Sequence, residues 1–306
     1  MIVGLHDSDR KNKGSKFPNY ALMKISAYHK SINDTVEWWD AMTKCNVVYS
    51  SKIFDFKVEN EFLPENTIKG GTGYDIKKVL PQEIDNIFPD YSIYPNCDYA
   101  IGFLTRGCIN NCSFCVVPEK EGYIRPYRAW EQIKRIDTNI ITFMDNNVLA
   151  IDYGIEQMQL MIGKNLIIDF NQGMDARLMT SDVAEIISKL NWQKYIRFSC
   201  DGEYQIPYIF KTVEMLKKFG VKSYRLFIYT IIKKDLEEAE RRISELKKIK
   251  NISIYAQPEI NAFKGIIPNK AQNEYAQRYI FGRSYLKETW KEYCKRTGFK
   301  EPQYEA

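Results

Sequence analysis

The chain has 306 residues, 44% of them hydrophobic and 27% charged, with a formal net charge of +5. That length can bury a large core, as one barrel-sized domain or two smaller ones, and the composition excludes a disordered or fibrous chain. No apolar run reaches the roughly 20 residues a membrane helix needs, and Met1 to Asp7 lacks the charged start and apolar core of a signal peptide. No membrane partner and a cytoplasmic location are therefore expected. Seven cysteines, an odd number and scattered except for one trio, make a poor disulfide framework and fit a reducing compartment.

Residues 1–95 read as a small Rossmann-like α/β unit: Ile2–Leu5, Thr35–Trp38 and Val47–Tyr49 are β-rich, and a helix is expected over Tyr20–Lys30. Gly70-Gly71-Thr72-Gly73 follows as a loop. It is either a turn needing positive φ, the commoner case, or a place where backbone approaches a phosphate closely. Pro81, Pro89 and Pro95 mark the passage into the next unit. From Asp98 onward short β-rich runs alternate with amphipathic helices, the pattern of a parallel sheet built from βα units. The expected strands are Tyr99–Thr105, Ile140–Met144, Leu166–Phe170, Tyr195–Ser199, Tyr224–Ile231 and Ile252–Ala256. Between them Val183, Ile186, Ile187 and Leu190 repeat at helical spacing behind Asp182 and Glu185 as capping residues, Ile206 to Leu216 repeats it before Gly220, and Leu236 to Ile249 does so again.

After Pro258 the alternation ends. The extension 261–306 is expected to be helical between Asn269 and Phe299, where residues 270–300 hold eight Lys or Arg against three Glu, interleaved with Tyr275, Tyr279, Phe281, Tyr285, Trp290 and Tyr293. Such a mixture can stack bases and meet phosphates, so nucleic acid is one candidate partner. More often it is a helix packing its ring face on the domain with solvated charges outward.

The most informative run is Arg106-Gly107-Cys108-Ile109-Asn110-Asn111-Cys112-Ser113-Phe114-Cys115, a C-x3-C-x2-C spacing. Three thiols on one tight loop are metal or cluster donors. No fourth ligand follows: the next cysteine is Cys200, and His6 and His29 lie far upstream. A structural zinc closes its tetrahedron with four protein ligands, a catalytic zinc leaves one position open, and an iron–sulfur cluster on three thiolates keeps one iron for an outside ligand. Cys97 cannot complete the set, because a strand with a rise of about 3.3 Å per residue puts it about 20 Å or more away. Cys200 reads as a buried, small, apolar residue. A non-enzymatic zinc or iron–sulfur structural protein stays open at this point. A histidine-based hydrolase is disfavoured, since no Ser-His or Cys-His pairing is visible.

This motif, with an aromatic before its last cysteine and placed just after a first strand, resembles the radical S-adenosylmethionine enzymes over about residues 97–260. The resemblance implies an α/β fold with a partial (β/α)6 TIM-type barrel over 96–260, and a [4Fe-4S] cluster on Cys108, Cys112 and Cys115. It implies that S-adenosylmethionine chelates the fourth iron, and that an external electron donor such as a flavodoxin or ferredoxin reduces the cluster. Cleavage of the sulfonium would yield a 5′-deoxyadenosyl radical that abstracts hydrogen from an unidentified substrate. By strand-end position the resemblance also implies cofactor contacts from Phe114, Asp145, Asn146, Gln172, Arg177, Ser199, Asp201, Tyr229 and Gln257, although the family's usual Gly-Gly-Glu form is absent at residues 144–147. Ser199 and Asp201 could equally cap the helix that follows. The first unit is similar to a shortened cobalamin-binding domain, on the runs Phe17–Met23 and Lys69–Gly73. It lacks the Asp-x-His-x-x-Gly motif, so a cobalamin-dependent methyltransferase is a second alternative, less favoured than a Rossmann-like scaffold or substrate lid.

Overall fold

The computed structural model describes residues 1–10, 17–54 and 62–300. Strand β1 (Ile2–Asp7), helix α1 (Tyr20–Ser31) and strands β2 (Thr35–Trp38), β3 (Val47–Ser51) and β4 (Thr67–Gly70) form the first unit. Its sheet is parallel in the order β2-β1-β3-β4. Asn19 starts α1 by accepting the N–H of Leu22, satisfying an end-of-helix donor, and Leu22, Met23 and Ile25 then bury against Val3 and Leu5. The glycine run is shorter as a loop than its composition suggests. Gly70 ends β4, and the Gly71 carbonyl closes a turn by accepting from Tyr74 and Asp75. The proline-marked passage is built into this unit: α2 (Gln82–Asp85) carries Ile84 into the same apolar cluster, with Ile93 and, from the next unit, Ile101.

The second unit runs through β5 (Ala100–Gly102), β6 (Thr105–Arg106), α3 (Val117–Glu121), β7 (Arg125–Pro126), α4 (Trp130–Ile133), β8 (Ile140–Phe143) and α5 (Asp152–Leu160). It continues through β9 (Ile167–Phe170), β10 (Met174–Asp175), α6 (Ser181–Lys189), β11 (Ile196–Ser199), α7 (Ile206–Lys218), β12 (Leu226–Ile232), α8 (Leu236–Lys247) and β13 (Ser253–Pro258). The expected strand Tyr99–Thr105 is broken in two, since β5 stays in the parallel sheet while β6 pairs antiparallel with β7. The cause is Asp145, whose carboxylate takes the N–H groups of Leu104 (3.0 Å) and Thr105 (2.6 Å) and so removes them from the ladder. Helix α6 is capped by Thr180, which accepts from Val183, rather than by Asp182.

The strands run parallel in two groups, β5-β8-β9 and β10-β11-β12-β13, joined by a parallel bridge between Ile168 and Trp192. Three residues after β9 the chain re-enters pairing as β10, and Gly173 permits the crossing: a Cβ there would lie 3.0 Å from the Phe198 carbonyl carbon. The architecture is thus mixed α/β with parallel sheets in chain order, and the described strands form no closed barrel. The two sheet faces differ. Leu226, Ile228 and Ile232 of β12, with Ile196, Phe198 and Ile254, belong to the large core they share with Val213, Leu216, Ile243 and Leu246 of the helices. Each such side chain contributes about 1.5–3 kcal/mol by leaving water. The opposite face carries Arg197 and Ser199 of β11 and Tyr195 just before it, as the period of two requires, with an ion pair between Arg197 and Asp169.

The tail is a chain of short helical pieces rather than one helix: α9 (Lys270–Glu274), a π-helical stretch over Tyr275–Ile280, and α10 (Trp290–Thr297). Tyr275, Tyr279, Tyr285, Trp290 and Tyr293 are all buried in the large core. Glu240 of α8 organises them, accepting from the Tyr275 hydroxyl at 2.7 Å and the Trp290 N–H at 3.1 Å. Among the described residues no helix is long and apolar enough to cross a membrane.

Candidate functional site

The cysteine loop spans the gap between β6 and α3. Its backbone turns on itself, with Cys108 N–H donating to Gly122 O (3.2 Å) and Cys115 N–H to Cys112 O (3.0 Å). The thiols are met by backbone donors: Asn110 N–H lies 3.4 Å from Cys108 Sγ, and Val117 N–H 3.4 Å from Cys115 Sγ. All three cysteines are half-buried and line a cavity of about 310 Å³. Phe114 stands beside them on that wall. The other walls come from strand ends: Asn146 and Asn147 after β8, Asp175 and Arg177 at β10, Ser199 and Asp201 at β11, and Lys233 after β12, with Tyr204 closing one side.

Eight of the twelve residues singled out from sequence and resemblance therefore meet here: Cys108, Cys112, Cys115, Phe114, Asn146, Arg177, Ser199 and Asp201. Four do not. Asp145 is buried beneath the loop, its oxygens committed to Leu104 and to the N–H and hydroxyl of Thr105. Gln172 is exposed, because the chain breaks pairing between β9 and β10 and turns its side chain outward. Tyr229 lies a full pleat below the strand end, packed edge-on against Phe227 and Tyr255. Gln257 is exposed near the end of β13, outside the cavity.

Arg177 is in the cavity but spoken for. Its guanidinium pairs with Asp175 (2.5 Å) and donates to Asn110 Oδ1 (2.9 Å), while Asn110 Nδ2 donates back to Asp175 (3.1 Å). Burial would raise the Asp175 carboxyl, but the bonds from Arg177 and Asn110 outweigh it and hold it below the usual range. Asp201 goes the other way, raised by burial that the Ile231 N–H and the Arg242 and Lys233 charges only partly offset. Burial, reinforced by the neighbouring cysteines, raises both Cys112 and Cys115. Loading a metal or cluster on them must therefore displace protons.

Sequence reasoning missed Asn147, Asp175 and Lys233. Asn147 points Nδ2 at Cys108 Sγ (3.7 Å), and its Oδ1 is buried with no hydrogen-bond partner. Lys233 makes no ion pair or hydrogen bond among the described residues. The strand-end rule applied one residue further along, at the true end of β12, would have found it. Asp175 had no local signal beyond its place in a polar run.

Cys97 is buried three residues ahead of β5, its thiol bonded to Tyr99 O, and Cys200 is buried on the helix-facing side. Neither lines the cavity. Among the described residues no group of three or more His, Cys, Asp or Glu side chains converges to hold a single metal ion. A cluster of several irons spreads its thiolates apart, and here the donor chemistry suits one: three thiols on one wall, N–H donors aimed at two sulfurs, and a buried amide oxygen without a partner on Asn147, which lines the same space.

No family model matches this chain, and no curated protein does. Among solved structures it is similar to methylornithine synthase (PylB), at 10% identity and a TM-score of 0.39 over 60% of the chain. The match spans 62% of that protein, less than two thirds of its length. A likeness this distant carries no weight for either fold or activity.

Proposed function

We propose that this chain is a radical S-adenosylmethionine enzyme acting on an unidentified substrate, with a [4Fe-4S] cluster held by Cys108, Cys112 and Cys115. The observation that carries the reading is the C-x3-C-x2-C loop lining a cavity at the C-terminal ends of parallel strands, with no fourth cysteine or histidine among its walls. The reading takes residues 96–260 as a partial (β/α)6 barrel, supported by parallel strands that follow one another in chain order. Bound together, the cluster and S-adenosylmethionine supply a 5′-deoxyadenosyl radical able to remove hydrogen from carbon.

The chain's own residues bind, orient and shield. The unpaired Asn147 Oδ1 suits an ammonium donor, as does Asn146 Oδ1, since Asn146 Nδ2 is already given to Glu121. The Ser199 hydroxyl and the Asp201 carboxylate suit ribose hydroxyls, and Lys233 suits a carboxylate. Arg177 serves instead to lock Asn110 of the cysteine loop. Phe114 excludes water beside the thiols. An external flavodoxin or ferredoxin is the proposed electron source. Cobalamin is left out of the proposed cofactor set, as the first unit lacks the Asp-x-His-x-x-Gly motif.

Anaerobic incubation with S-adenosylmethionine and dithionite is expected to release 5′-deoxyadenosine, and Cys112→Ala is expected to abolish it. Undiminished product in that variant contradicts the proposal.

A further inference from the structure

We propose that Glu121, the last residue of α3, is the positioning residue of the cysteine loop, setting Cys108 against Cys112 and Cys115; this rests on the cluster reading above. The Glu121 side chain is largely buried, 11% exposed, and both its oxygens are used. Oε2 accepts the N–H of Gly107 at 2.9 Å and the Nδ2 of Asn146 at 3.1 Å, and Oε1 pairs with Arg106 at 2.6 Å. One carboxylate thus holds both residues that precede Cys108 and one wall of the cavity. Neither Glu121 nor Arg106 lines that cavity, so neither touches a ligand there.

The site cannot shift easily. Gly107 has φ +86°, and a Cβ on it would fall 2.4 Å from the Tyr123 carbonyl oxygen, so the chain enters the loop through a slot only glycine fits. The Arg106 guanidinium is clamped over the Phe103 ring at 4.0 Å and reaches Tyr127 at 5.6 Å. Tyr127 is held in turn by Asp85 (2.8 Å) and by the fully buried Lys24 (2.7 Å) of the first unit. Positioning of the thiols is therefore backed by the first unit, which gives that unit a role independent of any ligand of its own. A partly buried carboxylate beside thiolates is costly unless neutralised, and Arg106 supplies the neutralising charge.

The test uses the full chain without cluster first. In Glu121→Ala, amide exchange over residues 107–116 and iodoacetamide alkylation of Cys108 should rise about tenfold or more, the scale expected for losing hydrogen bonds to a charged group. Alkylation of Cys45 should stay unchanged. Glu121→Gln keeps an acceptor for Gly107 but loses the ion pair, and should give a smaller rise; it decides the matter alone if the alanine variant fails to fold. In reconstituted protein, the cluster's midpoint potential should shift in both variants. Unchanged exchange and alkylation in the loop, or an equal rise at Cys45, overturns the proposal. If the loop responds as stated but wild type binds no cluster, the radical reading fails and the positioning role stands.

Discussion

Cys108, Cys112 and Cys115 stay half-buried around an open cavity, whereas Tyr275, Tyr279, Trp290 and Tyr293, an equally conspicuous cluster in the sequence, are spent on the core. The difference lies in what each group needs from water. Rings gain about 25 cal/mol for each Å² they bury, and the helices of the second unit leave an apolar face for them to cover. The thiols are backed by N–H donors and polar strand ends, which leaves them accessible at little cost. The tail keeps its cations outward, Arg278 and Lys291 among them, while most of its rings face inward. Phe281 is the exposed exception, edge-on to Tyr255.

The contrast can be broken most directly at Trp290. Trp290→Ala should cost about 3–5 kcal/mol of unfolding free energy, measured by urea denaturation, as a core ring is lost; a cost under about 1 kcal/mol would mean that the tail is peripheral after all.

Asp145 sharpens the other side. Burial pushes its carboxyl up to about 6 from 3.8 against the pull of Thr105 and Leu104. Between those pH values the folded chain keeps a proton that the unfolded chain has released, so wild-type stability falls as pH rises from about 4 to 6 and is level above, by up to about 3 kcal/mol. Asp145→Asn has no such proton. Its deficit against wild type should be greatest near pH 4 and shrink toward pH 6, and a deficit independent of pH would place the carboxylate in a more polar setting than the structure gives it. The smallest change is expected at Phe281→Ala, within about 0.5 kcal/mol, with no loss of 5′-deoxyadenosine formation.

The parallel α/β pattern was legible because β12 alternates buried and half-buried residues over its whole length and α6 and α8 show clean apolar stripes. The break in the first strand of the second unit was not, because it is made by a side chain 40 residues away. The same holds for the cavity. The cysteine motif is local and could be read directly, while the diversion of Asp145 beneath the loop and the tie of Arg177 to Asn110 depend on partners 40 and 67 residues away in sequence. Polar residues at strand ends were therefore found as a set, but sorted by role only by the packing. Asn147 is the clearest case: beside two neighbours of similar chemistry, it alone keeps a buried oxygen without a partner.

The cluster itself is the central claim, and metal analysis after anaerobic reconstitution tests it most directly. Wild type should carry about four iron and four sulfide per chain with a broad visible absorption that bleaches on reduction, and Cys112→Ala should retain little of either. One equivalent of zinc, with no iron and no loss on Cys112→Ala, would contradict it.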